Sequence, residues 1–485
     1  MRKRFEVQYE LGATAIERVK MPERSRDELP PVLRALQYIY SDPELNTAVF
    51  DLLESELFPS IERRRRGRLG MSLWEILVLG VVRLTLDANY DRLEHIANYD
   101  SLVRSLLGVS SFGENLKRYG LQTVKDNVGL LDEELIKKIN ELVVGAGHSL
   151  LKKNEENGLS VKVDSYVLES IVHFPTDINL LWDATRKCLT IIGDLIEGED
   201  SFGWRKYKDW LRRIRNRYNE ANRVMFRGGR NREVRLQKSV LSYLKLSRQL
   251  SGKIKSSKPD LAVLSNETAY KMLKYLELEY FAEMLDKHID LVKRRIIFKE
   301  EIAHEEKVFS LFEPYTRWIN KGKAGGRIEL GLPVAIASDE YGFILEHYVM
   351  EHESDVDVAV PLGEGLLKWG RLKSLSFDKG FWSPDNYNRL CYRVGQLVMP
   401  KKGRLDQQEK QREGNKEFKR LRRRHAAVES DINALEHHGL NRCPDRGLAH
   451  FKRYAALGVL SLNLHRLGNI LLEADRKSAR LKQAA

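Results

Sequence analysis

The chain has 485 residues, enough for several domains, each with a core of its own. Lys and Arg number 82 against 69 Asp and Glu, a net charge of +13. That excess points to a polyanionic partner, with nucleic acid ahead of a lipid surface because no lipid-anchor motif occurs. The scattered cysteines Cys188, Cys391 and Cys443 exclude a disulfide framework and a paired-cysteine zinc site. The first residues are charged, and the most apolar runs are broken by Glu75, Arg83, Asn463 or Arg466, so a soluble cytoplasmic protein with no membrane segment is expected.

In chain order, VLRALQYIY and AVFDLLESELF carry apolar residues at helical spacing, with Ser41-Asp42-Pro43 between them. The basic run Arg63, Arg64, Arg65, Arg66 and Arg68 precedes an apolar helix in SLWEILVLGVVRLTL; clustered arginines beside a packed helix are candidate DNA-phosphate contacts. Asp91 and Asp100 stand as N-caps before two short helices. This spacing fits a helix-turn-helix region over 1–155, or a plain helical bundle used for dimerisation.

LSVKVD then alternates apolar and polar with strand period up to Asp164, and the pattern continues as SYVLESIVHF until Pro175. Thr176 or Asp177 caps a helix through NLLWDATRKCLTIIGDL, in which Asp177 and Asp183 read as capping or surface acids or as acids supporting a site. The all-α stretch 191–319 gathers Arg212, Arg213, Arg215, Arg217, Arg227, Arg230, Arg232 and Arg235, and reads either as a solvated helical hairpin or as a DNA-embracing insertion.

Strand signals return in RIELGLPVAIASDE and YGFILEHYVM, a hairpin around Asp339-Glu340-Tyr341-Gly342. A helix follows, then a short strand from Leu372 to Phe377 ending at Asp378, a helix from Pro384, a strand in VGQLVMP, a charged helix over 413–438 carrying Glu429, and an apolar helix over 448–472. A basic tail occupies 473–485. Lys379, Lys401, Lys402 and Arg404 follow core strands, where loops gather over a site, and are candidate DNA-phosphate contacts.

Without the helical insertion the order is β-β-β-α-β-α-β-α, that of an α/β ribonuclease H-like domain, here split into 156–190 and 320–472. In that fold the first and fourth strands lie side by side at the centre and a late helix crosses them. Asp164 and Asp378 would then end adjacent strands and Glu429 would reach in from the helix, although 378 − 164 = 214 residues separate the first two. Converging carboxylates repel one another unless a cation neutralises them, so the cluster implies a divalent metal. Hard oxygen ligands select Mg²⁺, with Mn²⁺ able to replace it, and two such ions suit in-line displacement at phosphorus.

VDSYVLESIVHFPTDINLL, FDKGFWSPDN and RRRHAAVESDINALEHHGLNRCPDRG resemble the three catalytic blocks of DDE transposases of bacterial insertion sequences, of the ISNCY type and its insertion-sequence-five relatives. The resemblance implies Asp164, Asp378 and Glu429 as the metal-binding triad. It also implies cleavage of double-stranded DNA at element ends, strand transfer into target DNA, and a homodimer when two ends are paired. In related groups Tyr and Arg precede the Glu by seven and four residues and Lys follows by seven; here those positions hold Arg422, His425 and Glu436. His425, one helical turn before Glu429, is expected to face the same side and to support the site, with a surface position as the alternative. A ribonuclease H-like nuclease that never rejoins strands and a domesticated DNA-binding regulator are the rival readings.

Overall fold

Local signals start the N-terminal helices. The structure is a computed structural model that describes residues 4, 14–22, 25–57, 70–110, 116–151, 158–197, 203–320 and 328–484. Helix α1 (Leu29–Ser41) opens with prolines, whose missing N–H groups would find no partner in a first turn. Asp42 Oδ1 accepts from Leu45 N at 2.9 Å at the start of α2 (Pro43–Leu57). A capping box of Ser72 and Glu75 opens α3 (Leu73–Thr85), Asn89 rather than Asp91 caps α4 (Tyr90–Tyr99), and Asp100 caps α5 (Ser101–Leu106). Helices α6 (Leu121–Val128) and α7 (Glu133–Leu150) complete the series.

Strand β1 (Leu159–Ser170) does not end at Asp164. SYVLES stays extended and pairs antiparallel with a later strand as far as Glu169, which leaves Asp164 mid-strand. The chain then forms α8 (Asp177–Leu195), α9 (Tyr207–Phe226), α10 (Arg232–Ser265) and α11 (Ala269–Val292). Contacts divide the chain into two compact units, Met1–Ile171 with Ile319–Ala485, and Val172–Trp318. The second has its own apolar core, with Ile178, Leu181, Leu189 and Ile192 of α8 packed among Tyr243, Leu244 and Leu285. Helix α8 therefore belongs to the helical unit and not, as its position before residue 190 suggests, to the sheet; its apolar face matches α9 and α11.

The sheet is completed by β2 (Arg317–Asn320), within which the chain passes from the second unit, ending at Trp318, back to the first, and by β3 (Ile328–Ser338), β4 (Ile344–Val349), β5 (Leu372–Phe377), β6 (Leu397–Val398) and β7 (Arg442–Cys443), with α12 (Asp355–Gly365) after β4 and α13 (Pro384–Leu390) after β5. The main path runs β2-β3-β1-β5-β6, with β4 beside β3 and β7 beside β1. Strand β3 is antiparallel to both β1 and β4, whereas β5 is parallel to β1 and β6 to β5. The hairpin turn is fastened by Asp339, whose Oδ1 accepts from Tyr341 N and Phe343 N at 2.9 Å, with Gly342 at φ +85°.

After β6 the expected single helix over 413–438 is three: α14 (Gln407–Gly414), α15 (Lys416–His425) and α16 (Val428–Leu435). The last element, α17 (Leu448–Ala484), runs through the expected basic tail as continuous helix, and Arg34 Nε meets Asp475 Oδ2 at 2.8 Å. Helix α17 passes the length and composition test for a membrane span, yet 78% of that window is buried, packed on α7, α1 and α3. The N-terminal helices are consequently not a unit of their own. All thirteen residues of α3 are buried, so that helix has no face left for a DNA groove.

Candidate active site

Parallel pairing of β1 with β5 sets Lys162 opposite Ser376 and Val163 opposite Phe377, which brings Asp164 and Asp378 to neighbouring positions at the sheet centre. Asp378 is the residue at which β5 stops and a short 3₁₀ turn, Lys379–Phe381, begins on the fully buried Phe381 ring. Glu429 lies in the first turn of α16, at the positive end of the helix dipole, which favours an anion. Asp355, in the first turn of α12, accepts a hydrogen bond from Ser165 Oγ at 2.7 Å.

The neighbouring acids act on Asp164. Burial pushes the Asp164 carboxyl up to about 6; the Ser165 N–H, 2.7 Å from Asp164 Oδ1, works against that, and the charges of Asp378, Asp355 and Glu429 add to the rise. Burial likewise lowers the His425 imidazole below its usual value against the pull of Asp378, with Lys162 and Arg422 adding to the lowering and Glu429 opposing it. His425 Nδ1 is 3.1 Å from Ser376 Oγ, while Nε2 is buried without a hydrogen-bond partner among the described residues. His425 and Glu429 were expected one turn apart on one helix. Instead α15 ends at His425 and the chain turns through Ala426 and Ala427 before α16, with Glu429 N and Ser430 N bonded three residues back.

What fixes α16 is Asp431, a buried acid that sequence reading passed over. Its Oδ2 receives Lys162 Nζ of β1 at 3.0 Å and Ser338 Oγ of β3 at 2.7 Å, and its Oδ1 receives Arg466 Nη2 of α17 at 2.7 Å. Both oxygens are satisfied, so the pairing answers the cost of burying the charge and ties the helix carrying Glu429 to three elements. Asp355 was missed as well. The only signal for either was an acid in the first turn of a helix following a strand or a turn, a pattern that surface helices share.

No group of three or more His, Cys, Asp or Glu side chains among the described residues is arranged to hold a metal ion. The chemistry of the donor set nevertheless fits a hard divalent cation, since the charges of Asp378, Asp355 and Glu429 add to the cost of ionising Asp164 and all four groups offer oxygen ligands only.

The basic candidates divide. Arg63, Arg64, Arg65, Arg66 and Arg68 lie outside the described residues. Lys379, Lys402 and Arg404 are exposed, with no ion-pair partner among the described residues. Lys401 is already taken, because its Nζ meets Glu409 Oε1 at 2.7 Å over the Trp382 ring and its N–H bonds Glu413 Oε1 at 2.8 Å. Asp177 pairs with Arg295, and the buried Asp183 with His173, inside the helical unit. Beside the site α15 presents exposed Arg422, Arg423 and Arg424, while Phe418 and Leu421 anchor its other face on Val398. Compared with protein-family models, curated proteins and solved structures, the chain finds no match in any of the three.

Proposed function

We propose that the protein is a DDE-type DNA transposase with a ribonuclease H-like sheet, cutting double-stranded DNA at the ends of a mobile element and transferring the freed 3′-hydroxyl into target DNA. The observation that carries the reading is the juxtaposition of Asp164 and Asp378 on paired central strands, with Glu429 close enough to raise the Asp164 carboxyl. The sheet supports it: of β4, β3, β1, β5 and β6, taken across the sheet, only β3 runs against β1. Charge supports the choice of substrate. From Arg205 to Arg248 the chain holds 15 Lys and Arg and 3 Asp and Glu, and 15 − 3 = +12 of a total of +13.

Asp164, Asp378 and Glu429 would hold Mg²⁺, or Mn²⁺ in its place, which supplies an activated nucleophile and charge neutralisation at phosphorus when bound. The chain's own part is positional. Asp431 holds α16 against the sheet, Ser376 orients His425, and the exposed cations Lys379 and Arg422 to Arg424 engage phosphates on either side of the acids. Paired insertion needs two ends held together, so a DNA-bound homodimer belongs to the proposal.

Labelled DNA bearing the gene's own flanking sequences, incubated with Mg²⁺ or Mn²⁺, tests it against Asp378→Ala. Cleaved and joined products from the parent and none from the variant, with DNA binding retained in both, is the expected result. Cleavage without joining would make the protein a nuclease, and binding without cleavage under either metal would leave a DNA-binding regulator.

A further inference from the structure

The helical unit contains a cavity of about 370 Å³ that the proposed chemistry does not use. Its wall is a run of rings: Phe174 meets Trp318 edge-on at 5.4 Å between centroids, Trp318 meets Phe309 at 5.7 Å, and His304 meets Phe309 at 5.6 Å. Phe174 is 54% exposed, which leaves part of its ring open to solvent. Lys307 stands on the lining with no carboxylate partner among the described residues, whereas Arg295, the other cation there, is paired with Asp177 at 2.8 Å. Met225, near the end of α9, also lines the cavity, and the exposed Arg227 and Arg230 follow it directly within the tract that carries +12.

Aromatic faces beside an unpaired ammonium, at the end of a strongly basic helical hairpin, match a flat base attached to a phosphate. The volume suits one nucleotide rather than a duplex, whose bases are already stacked on each other. We infer that this cavity receives a base of an unpaired DNA strand, stacked on Phe174 and Trp318 with its phosphate at Lys307, while the arginines of the hairpin hold the strand leading to it. The inference rests on the proposal that DNA is the partner. It adds that single-stranded DNA is held by the helical unit, in a cavity lined by none of Asp164, Asp378 and Glu429.

The test uses the full chain and a labelled oligo(dT) strand beside a duplex of the same length, with affinity measured by fluorescence anisotropy at several salt concentrations. Phe174→Ala combined with Trp318→Leu should weaken oligo(dT) binding about tenfold or more. Duplex affinity should stay as it was, and so should the salt slope. Lys307→Gln should keep most of the stacking but flatten the slope by about 0.7. Oligo(dT) should also quench the parent's tryptophan fluorescence more than that of Trp318→Phe, a variant that keeps a ring in the wall. Equal oligo(dT) affinity in parent, Phe174→Ala/Trp318→Leu and Lys307→Gln would overturn the inference while leaving DNA as the partner. A parent that binds neither DNA form would overturn both. Cavity-dependent binding without cleavage would uphold the inference and sink the transposase reading alone.

Discussion

Asp164 is the residue where the proposed chemistry and stability pull apart. Its carboxyl ionises at about 6 in the folded chain, against an ordinary value of 3.8, chiefly because it is buried and then because other acids surround it. Between about pH 4 and 6 the native state therefore keeps a proton that the unfolded chain has released, so this residue's contribution to stability falls as pH rises across that window. At neutral pH the ionised form costs on the order of 3 kcal/mol. Asp164→Asn should abolish the proposed cleavage and at the same time raise the melting temperature at pH 7, with the gain vanishing near pH 4; a lower melting temperature at pH 7 would contradict the account. Asp378 was legible as the end of the short apolar strand β5, where the structure has it, whereas Asp164 was read as a strand end and lies in the middle of the longer β1. Asp355 and Asp431 were not legible, since a buried, fully bonded acid and a solvated one look alike until the partners Ser165, Lys162, Ser338 and Arg466 are brought in by the fold.

At the scale of elements, the strands were easier to read than the helices. Strand β5 and the β3–β4 hairpin stand out by their alternation and by the turn at Asp339 to Gly342, and strand period leaves little freedom about which side faces the core. The break between α15 and α16 leaves no such mark, because Ala426 and Ala427, where the chain turns, are strong helix formers. Helix α8 shows the related limit: its amphipathic pattern announces a buried face but not the neighbour that buries it. Separating α15 from α16 leaves a short basic helix whose three exposed arginines the proposed function assigns to DNA phosphates. Replacing Arg422, Arg423 and Arg424 by Gln should lower affinity for duplex DNA and reduce the salt slope by up to about 3, with circular dichroism unchanged, since Phe418 and Leu421 carry the packing. An unaltered slope would show that α15 does not meet the phosphate backbone.

For the molecule as a whole, the helical unit has its own core, drawn from residues between Ile178 and Leu311, and a fragment spanning 172–318 should fold alone. Cooperative thermal loss of its helical signal is the expected outcome, and a non-cooperative melt would refute it. The sheet unit is closed differently, by ion pairs far apart in sequence. Arg83 makes a two-pronged contact with Asp445 at 2.6 and 2.9 Å, and Arg453 reaches the same carboxylate at 3.1 Å. Burial opposes ionisation of Asp445, but the two guanidiniums outweigh it and hold the carboxyl below the usual range. Its contribution is thus full above about pH 4 and lost as pH falls through the depressed value. His438 adds an earlier step: burial lowers it to about 4 from 6.5, so below about pH 6.5 the unfolded chain takes a proton that the native state refuses, and stability drops toward pH 4. Asp445→Asn should cost about 3–5 kcal/mol at pH 7 and remove the lower of the two acid steps, which melting curves at a series of pH values would resolve. The sheet imposes one more condition, on manufacture. Strand β1 needs β5, which is complete only at Phe377, and 377 − 159 = 218 residues must be translated after Leu159 before the pair can form. At about 5–20 residues per second a nascent chain waits roughly 10–45 s with an apolar strand edge unpaired, and α17 arrives later still. The helical unit can fold during that pause, so it separates the two halves of the sheet in time as well as in sequence, and the yield of active protein becomes a matter of translation speed and of whatever shields β1 at the ribosome.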